Sequence, residues 1–486
     1  MLSRGDEVRT QDPAHIDAVT GGTSREGGWS RMASHAPAAG RGAHFRSDVE
    51  GLRAIAVVVI LLYHIGLPEV PGGFVGVDVF YVISGFLITG LIWREIERTG
   101  RVDLVGFYAR RMRRLLPASL LVIAVTVGMS SLLLSRLQFP SVAGDAAAAI
   151  LYVSNIRFAM SATDYLASTE PPSPLLHTWS LGVEEQFYLV WPVLLLLASR
   201  VLPRAWVGWV LLGVASASFG LSLVWTDVAA PWAFFSLPTR MWELAAGGLL
   251  AIGLVRWPQR AGAGAASLVG GVGLVLLAAA VLRLDAETPF PGTAALLPVV
   301  GTMLLILAGA RSDALPARIL SLRIPRWLGR ISYSLYLWHW PLLILVPIWI
   351  GRDDLPTRIL LVLVSVILAT ASTELLEVPI REQRVLGATA RQSFAVGLAV
   401  TGVVAAMAVG AGAVGPIRHL FPDPVLAVVE TPDPAASASL ALVMPTPEPP
   451  RLTPAPVSTV TPVPTAAAVA VATPFPTEAP TPAPTP

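Results

Sequence analysis

The sequence predicts an all-α protein, a polytopic membrane helix bundle, and three observations carry that expectation. Hydrophobic residues make up 54% of the 486 residues against 14% charged, with a mean hydropathy of +0.65, which is too apolar for a water-facing surface of that size. Eleven apolar stretches follow one another at roughly membrane-spanning length. Basic residues gather in a few of the connections instead of spreading along the chain. The formal net charge of +2 is small, and no nucleic-acid partner is expected from it. The chain has no cysteine, so disulfides and thiolate chemistry are excluded, and no metal site is expected.

Taken in order, residues 1–45 are rich in Gly, Arg, Ser and Ala and lack an apolar run long enough for a signal-peptide core. They read as a disordered cytoplasmic extension. The apolar segments fall at about 52–68, 77–93, 116–135, 182–199, 205–225, 240–255, 264–283, 293–310, 331–350, 357–379 and 394–414. Each approaches the length that crosses a hydrocarbon layer of about 30 Å, allowing for tilt and for a shorter first and seventh span. A further run, 142–160, carries Asp145, Asn155 and Arg157. The basic connections 94–114, 200–204, 256–260, 311–330 and 381–391 share one side, the cytoplasmic one, only if that run does not cross. It is therefore expected as an amphipathic or re-entrant helix on the outer face of the inner (plasma) membrane. The N-terminus is then cytoplasmic and the C-terminal tail extracytoplasmic. That tail, 417–486, repeats Thr-Pro and Pro-Thr steps, which favour an extended stalk without a core.

Polar groups inside the apolar segments are the candidate functional residues, because a lipid-facing charge at that depth costs at least a few kcal/mol and such groups turn inward. Arg53 and His64 are eleven residues apart, three helical turns, so they share one face about 16 Å apart. Arg110, Arg111, Arg113 and Arg114 precede the third span, either to bind phosphate through paired guanidinium donors or to satisfy the positive-inside rule. Ser332, Tyr336 and His339 fall on one face of the ninth span and would line a cavity. The alternative for that span is helix–helix hydrogen bonding, with an aromatic belt of Tyr333, Trp338 and Trp340. His177, Trp179, Ser180, Glu184 and Glu185 are expected at the outer mouth of the fourth span, to bind a sugar or orient a histidine, with helix capping the simpler account of Ser180 and Glu184. Arg240 and Glu243 read as an ion pair, and Gly76, Gly85 and Gly90 as close-packing positions.

Five runs occur together: 48–53 (DVEGLR) with His64, 72–87 (GGFVGVDVFYVISGFL), 107–117 (FYARRMRRLLP), 176–188 (LHTWSLGVEEQFY) and 331–341 (ISYSLYLWHWP). In that order they resemble the large family of type-three integral-membrane acyltransferases, over roughly residues 44–385. The resemblance implies a ten-helix acyltransferase core (46–385), plus an eleventh helix (386–416) of the kind that precedes an extracytoplasmic hydrolase-like domain. It also implies O-acylation of envelope polysaccharide, peptidoglycan or secondary metabolites, with Arg53 and His64 as the active pair and Arg111 and Arg114 as functional arginines. Two departures stand out: Glu50 occupies a usual aspartate position, and no hydrolase-like domain is read after the last helix, which leaves room for a separate extracytoplasmic partner domain.

Acyl transfer suits the residues themselves. A hydroxyl must lose its proton while charge builds on a carbonyl oxygen, and a neutral His64 could act as general base or could accept the acyl group covalently. The plainer alternative is a packed His64 with Arg53 snorkelling to the interface. The expected catalytic set is His64, Arg53, Glu184 and His339. Arg111, Arg114, Ser332 and Tyr336 are assigned to an acetyl-CoA (acyl-CoA) donor, which is a substrate and not a tightly bound cofactor. His177, Trp179, Ser180 and Asp78 are assigned to a glycan or lipid-linked saccharide acceptor. The rival reading is a transporter or flippase in which the same interior charges form a path without chemistry.

The topology is testable by fusion. A reporter enzyme active only outside the cytoplasm is expected to be active after Pro416 and silent near Ala263; the reverse, activity near Ala263 and silence after Pro416, would mean that 142–160 crosses.

Overall fold

The computed structural model describes residues 46–163, 172–257, 261–382 and 389–415, and its residues from Asp48 onward form one unit. The expected extension, 1–45, and the expected stalk, 417–486, lie outside the described residues. Among the described residues there are helices and no strands. They are α1 (Ser47–His64), α2 (Gly76–Thr99), α3 (Leu104–Leu133), α4 (Phe139–Ile150), α5 (Ser154–Thr163), α6 (Thr178–Val201), α7 (Arg204–Val228) and α8 (Ala230–Phe235), followed by α9 (Leu237–Arg256), α10 (Ala263–Arg283), α11 (Leu296–Ala308), α12 (Leu315–Leu320), α13 (Arg323–Ile350), α14 (Leu355–Ser372), α15 (Val378–Arg381) and α16 (Ala390–Val414).

Eight helical runs among the described residues are long and apolar enough to cross a membrane, one of them being α14 continued through a π-turn, Thr373–Glu377, into α15. All eleven expected segments are helical, but three fall short of that standard. α1 carries Asp48, Glu50 and Arg53, α9 carries Arg240, Glu243 and Arg256, and α11 has 13 residues, about 20 Å of helix. The first span also stops at His64, not at residue 68. The expected basic loop 94–114 is helical almost throughout. Gly100, at φ 68°, closes α2 in the left-handed region, and the Asp103 carboxylate starts α3 by accepting from the Gly106 N–H at 2.8 Å. Asp354 starts α14 in the same way, and hydrogen bonds from Thr357 and Arg352 hold its carboxyl down at about 2.

Helix directions follow from which residues face each other. Glu50, Arg53 and His64 of α1 face Gly329, Ser332 and His339 of α13 in the same order, so the two helices run parallel. α2 runs parallel to α6, through Ser84 to Glu184 and Thr89 to Trp191, and parallel to α9, through Asp78 to Arg240 and Gly85 to Leu244. α3 runs with α13, Leu115 O accepting from the Tyr333 hydroxyl. The chain therefore leaves α3 and enters α6 at the same end of the bundle. Between them the run 142–160 forms α4 and α5, separated by Tyr152 at φ 55°, and neither is long enough to span. The three polar residues that singled out this run find partners: Arg157 pairs with Asp145 at 2.5 Å, and Asn155 bonds Gln186 and the Phe235 carbonyl.

Backbone contact holds the interior together. A Cβ added at Gly329 would lie 1.8 Å from the Glu50 carbonyl oxygen, and one at Gly85 would lie 1.7 Å from that of Leu244. Gly76 is similarly pressed on α1, whereas Gly90 meets its neighbours at ordinary contact distance. Gly85→Ala is expected to cost on the order of 1–3 kcal/mol through overpacking. Gly128→Ala, with open space around it, should leave stability unchanged. Thermal unfolding of the two purified variants in detergent compares them, and equal midpoints would contradict the close α2–α9 contact.

Candidate functional site

Two polar groups lie along the α1–α13 seam. At the C-terminal end of α1, His64 Nδ1 and His339 Nε2 are 3.0 Å apart, with the rings nearly parallel. His339 Nδ1 lies 3.2 Å from the Leu335 carbonyl oxygen, one turn back on α13. A carbonyl only accepts, so Nδ1 of His339 carries the proton and its Nε2 offers a lone pair. His64 Nδ1 must then donate to it, which leaves His64 Nε2 with a free lone pair. His64 lines a cavity shared with His177, Trp179, Arg240, Tyr336 and Trp340. The space inside is of the order of one or two water-sized groups.

Other side chains fix this end. The Tyr336 hydroxyl donates to the His177 carbonyl at 2.8 Å and lies 2.7 Å from Ser180 Oγ. Trp340 packs 4.6 Å from the His64 ring and donates to the Ser173 carbonyl. Trp179 packs tilted against Phe234 and edge-on to Phe235. His177 is 3% exposed and neither of its ring nitrogens has a hydrogen-bond partner among the described residues. A buried imidazole in that state is able to hydrogen-bond a group that enters the cavity, which His177 also lines.

The second group lies toward the N-terminal ends of α1, α3 and α13. Arg53 donates to Ser332 Oγ through Nε and Nη2 at 3.1 and 2.9 Å. The Arg111 guanidinium sits 3.6 Å above the Tyr188 ring. Arg114 neighbours Arg53, Arg111 and Glu184 electrostatically but has no ion pair or hydrogen bond among the described residues. Glu184 accepts from Ser84 and from Tyr188, one turn on along α6, and Glu185 stands beside Arg111. Three guanidinium groups thus face two carboxylates, an excess of positive charge suited to a phosphate.

A third feature joins the cavity to the core. Arg240 reaches Asp78 at 3.2 Å and Glu243 at 3.1 Å, all three at most 1% exposed. The expected Arg240–Glu243 ion pair is present and Asp78 completes it.

Several expected placements are corrected. Glu184 lies more than a turn inside α6 and belongs to the arginine group, not to the outer mouth, because α6 begins at Thr178. For the same reason neither Ser180 nor Glu184 caps that helix. Asp78 is fully buried against Arg240 and does not line the cavity. Tyr336 belongs with the histidines, so of the two α13 residues assigned to the donor only Ser332 lies with the arginines. Arg53 does not touch His64, since His339 holds that ring, and Glu50 pairs with Arg326 at 3.6 Å. Trp338, Trp340 and Tyr333 form no aromatic belt: each turns inward and donates to Ser372, Ser173 and Leu115 respectively. Sequence reasoning missed Ser84 and Tyr188 as the residues that fix Glu184, although the i, i+4 spacing of Glu184 and Tyr188 was a usable signal.

Comparison with known proteins gives this geometry a context. The family model described as acyltransferase domain, of the type-three acyltransferases, matches residues 46–376. A peptidoglycan O-acetyltransferase of Listeria monocytogenes is 31% identical over 353 residues, covering 69% of this chain and 56% of its own length. A Bacillus subtilis protein provisionally named a peptidoglycan O-acetyltransferase is 33% identical over 350 residues, covering 69% and 55%. A Staphylococcus aureus protein provisionally named an O-acetyltransferase is 32% identical over 362 residues, covering 72% and 59%. The chain therefore spans somewhat over half the length of these relatives. No solved structure matches.

Proposed function

The chain belongs to the type-three acyltransferase domain family, and from that premise we propose that it is a membrane O-acyltransferase. It moves an acetyl group from a cytoplasmic acyl-CoA donor to a hydroxyl of an extracytoplasmic or lipid-linked glycan. The names of its relatives make peptidoglycan the first acceptor to try. The tautomer forced on His64 carries this proposal: a neutral imidazole with its free lone pair at a small cavity, oriented by a second histidine, is the arrangement a general base needs.

Arg111, Arg114 and Arg53 hold the donor phosphates, with Arg111 and Arg114, neither in an ion pair among the described residues, providing the strongest pull. The thioester then reaches the His64 end along the face of α13 that carries Ser332 and Tyr336, seven residues or about 10 Å from Ser332 to His339, within reach of the extended pantetheine arm. The acceptor hydroxyl meets His177 and Trp179 across the cavity. Its proton passes to His64 Nε2 as its oxygen bonds to the acyl carbon. The carbon–sulfur bond breaks, and the coenzyme A thiolate takes the proton back from His64. The limited space in the cavity favours a short acyl group.

Transfer of label from acetyl-labelled acetyl-CoA to envelope glycan, in vesicles containing the chain, tests the function. Passage of a precursor without label on glycan would favour the transporter instead. His64→Ala is expected to lower turnover by roughly 10²-fold or more while the protein remains stable in detergent, and His339→Ala to lower turnover in the same direction through loss of orientation. Near-normal transfer by purified His64→Ala protein would remove the base from this mechanism. Arg111→Gln with Arg114→Gln is expected to raise the donor KM several-fold with insertion intact, and an unchanged donor KM would leave those arginines a purely topological role.

A further inference from the structure

We infer that Arg240 is a further catalytic residue of the reaction proposed above: its guanidinium donates to the acyl carbonyl oxygen as negative charge gathers there. Arg240 forms part of the wall of the cavity that His64 lines, so base and donor address the same space. It is 1% exposed, yet among the described residues Nε has no hydrogen-bond partner, and Nη1 meets Glu243 only as an ion pair at 3.1 Å without hydrogen-bond alignment. An arginine kept only to pair with Asp78 and Glu243 would have no reason to reach a cavity, and a buried N–H without an acceptor costs about 1–3 kcal/mol.

The surroundings suit a carbonyl better than a free anion. Asp78 and Glu243 compensate the cation before substrate arrives, so a phosphate gains little there, whereas an N–H with no acceptor still favours a carbonyl oxygen. The rings of Tyr81, Phe234 and Phe290 stand 5.5, 5.8 and 5.2 Å from the guanidinium carbon and keep water away, which strengthens a fixed donor. Held by two carboxylates, the fork does not have to reorganise during the reaction.

The step balances. The acceptor oxygen bonds to the carbonyl carbon as its proton goes to His64 Nε2, and the carbonyl π pair moves to the oxygen, where Arg240 donates. Collapse restores the carbonyl and breaks the carbon–sulfur bond, and the departing thiolate takes the proton from His64. Asp78 and Glu243 are positioning residues.

This inference rests on the acyltransferase reading, and one experiment separates the two. Vesicles containing the full chain receive acetyl-labelled acetyl-CoA and envelope glycan, and base-labile label on glycan is timed for wild type, Arg240→Lys and Glu243→Gln. Arg240→Lys keeps the charge opposite Asp78 but loses the fork, so turnover is expected to fall by roughly 10²-fold, with donor KM within about twofold and the melting temperature retained. Glu243→Gln keeps the volume and loosens the fork; turnover should fall less, again without a change in KM. A Lys variant that transfers at the wild-type rate, or one impaired only in donor KM, overturns the role of Arg240. Should the Lys variant not accumulate, unchanged turnover in Glu243→Gln overturns it. If wild type itself transfers no label, the acyltransferase reading fails and this inference falls with it.

Discussion

The close parallel approach of α1 to α13 sets the register of everything polar in the interior. With no side chain at Gly329, the Glu50 carbonyl lies directly against α13, and two pairs are fixed at once, Arg53 with Ser332 and His64 with His339. Eleven residues on one helix answer to seven on the other. The difference, about 6 Å of helical rise, is made up by the length of the arginine side chain. A histidine has no such reach, so the His64–His339 contact depends on the backbones being close.

Desolvation explains why the interior charges divide as they do. An ionised group far from water must find an opposite charge or several hydrogen bonds, and the helices supply these in two different ways. Arg240 is closed in by Asp78 and Glu243, a compact set in which two carboxyl groups face one guanidinium. The arginines nearer the other end are held more loosely, by a hydroxyl, an aromatic face and distant carboxylates. The first set is held by its own carboxyl groups, and the second has the looser hold that the proposed phosphate binding calls for.

The helical class, the eleven segments and the inward faces of Arg53, His64, Ser332, Tyr336 and His339 were legible in the sequence, because apolar length and helical periodicity are local properties. What was not legible depended on where one helix meets another. Glu184 was assigned to the outer mouth because the start of α6 could not be placed from apolarity alone, since His177 to Ser180 are polar or aromatic and yet buried. An aromatic belt was the alternative reading for α13 because Trp and Tyr favour interfaces, and only the positions of Ser372, Ser173 and Leu115 show why these residues turn inward. The pairing of His64 with His339 spans 275 positions and leaves no trace in local pattern.

Because the Arg53 guanidinium sits at Ser332 and the His64 ring at His339, seven residues or about 10 Å of helical rise apart, a carrier gripped at the first and reacting at the second, as proposed, would stretch across roughly a third of a ~30 Å hydrocarbon layer while its bulky end stays put. Only a two-carbon fragment then has to travel the remaining distance. Such a protein needs no rocking of one half against the other and no moment at which an aqueous passage connects both faces. On the proposed reading, the bond-forming event itself would perform the export, with the seal against ions left closed.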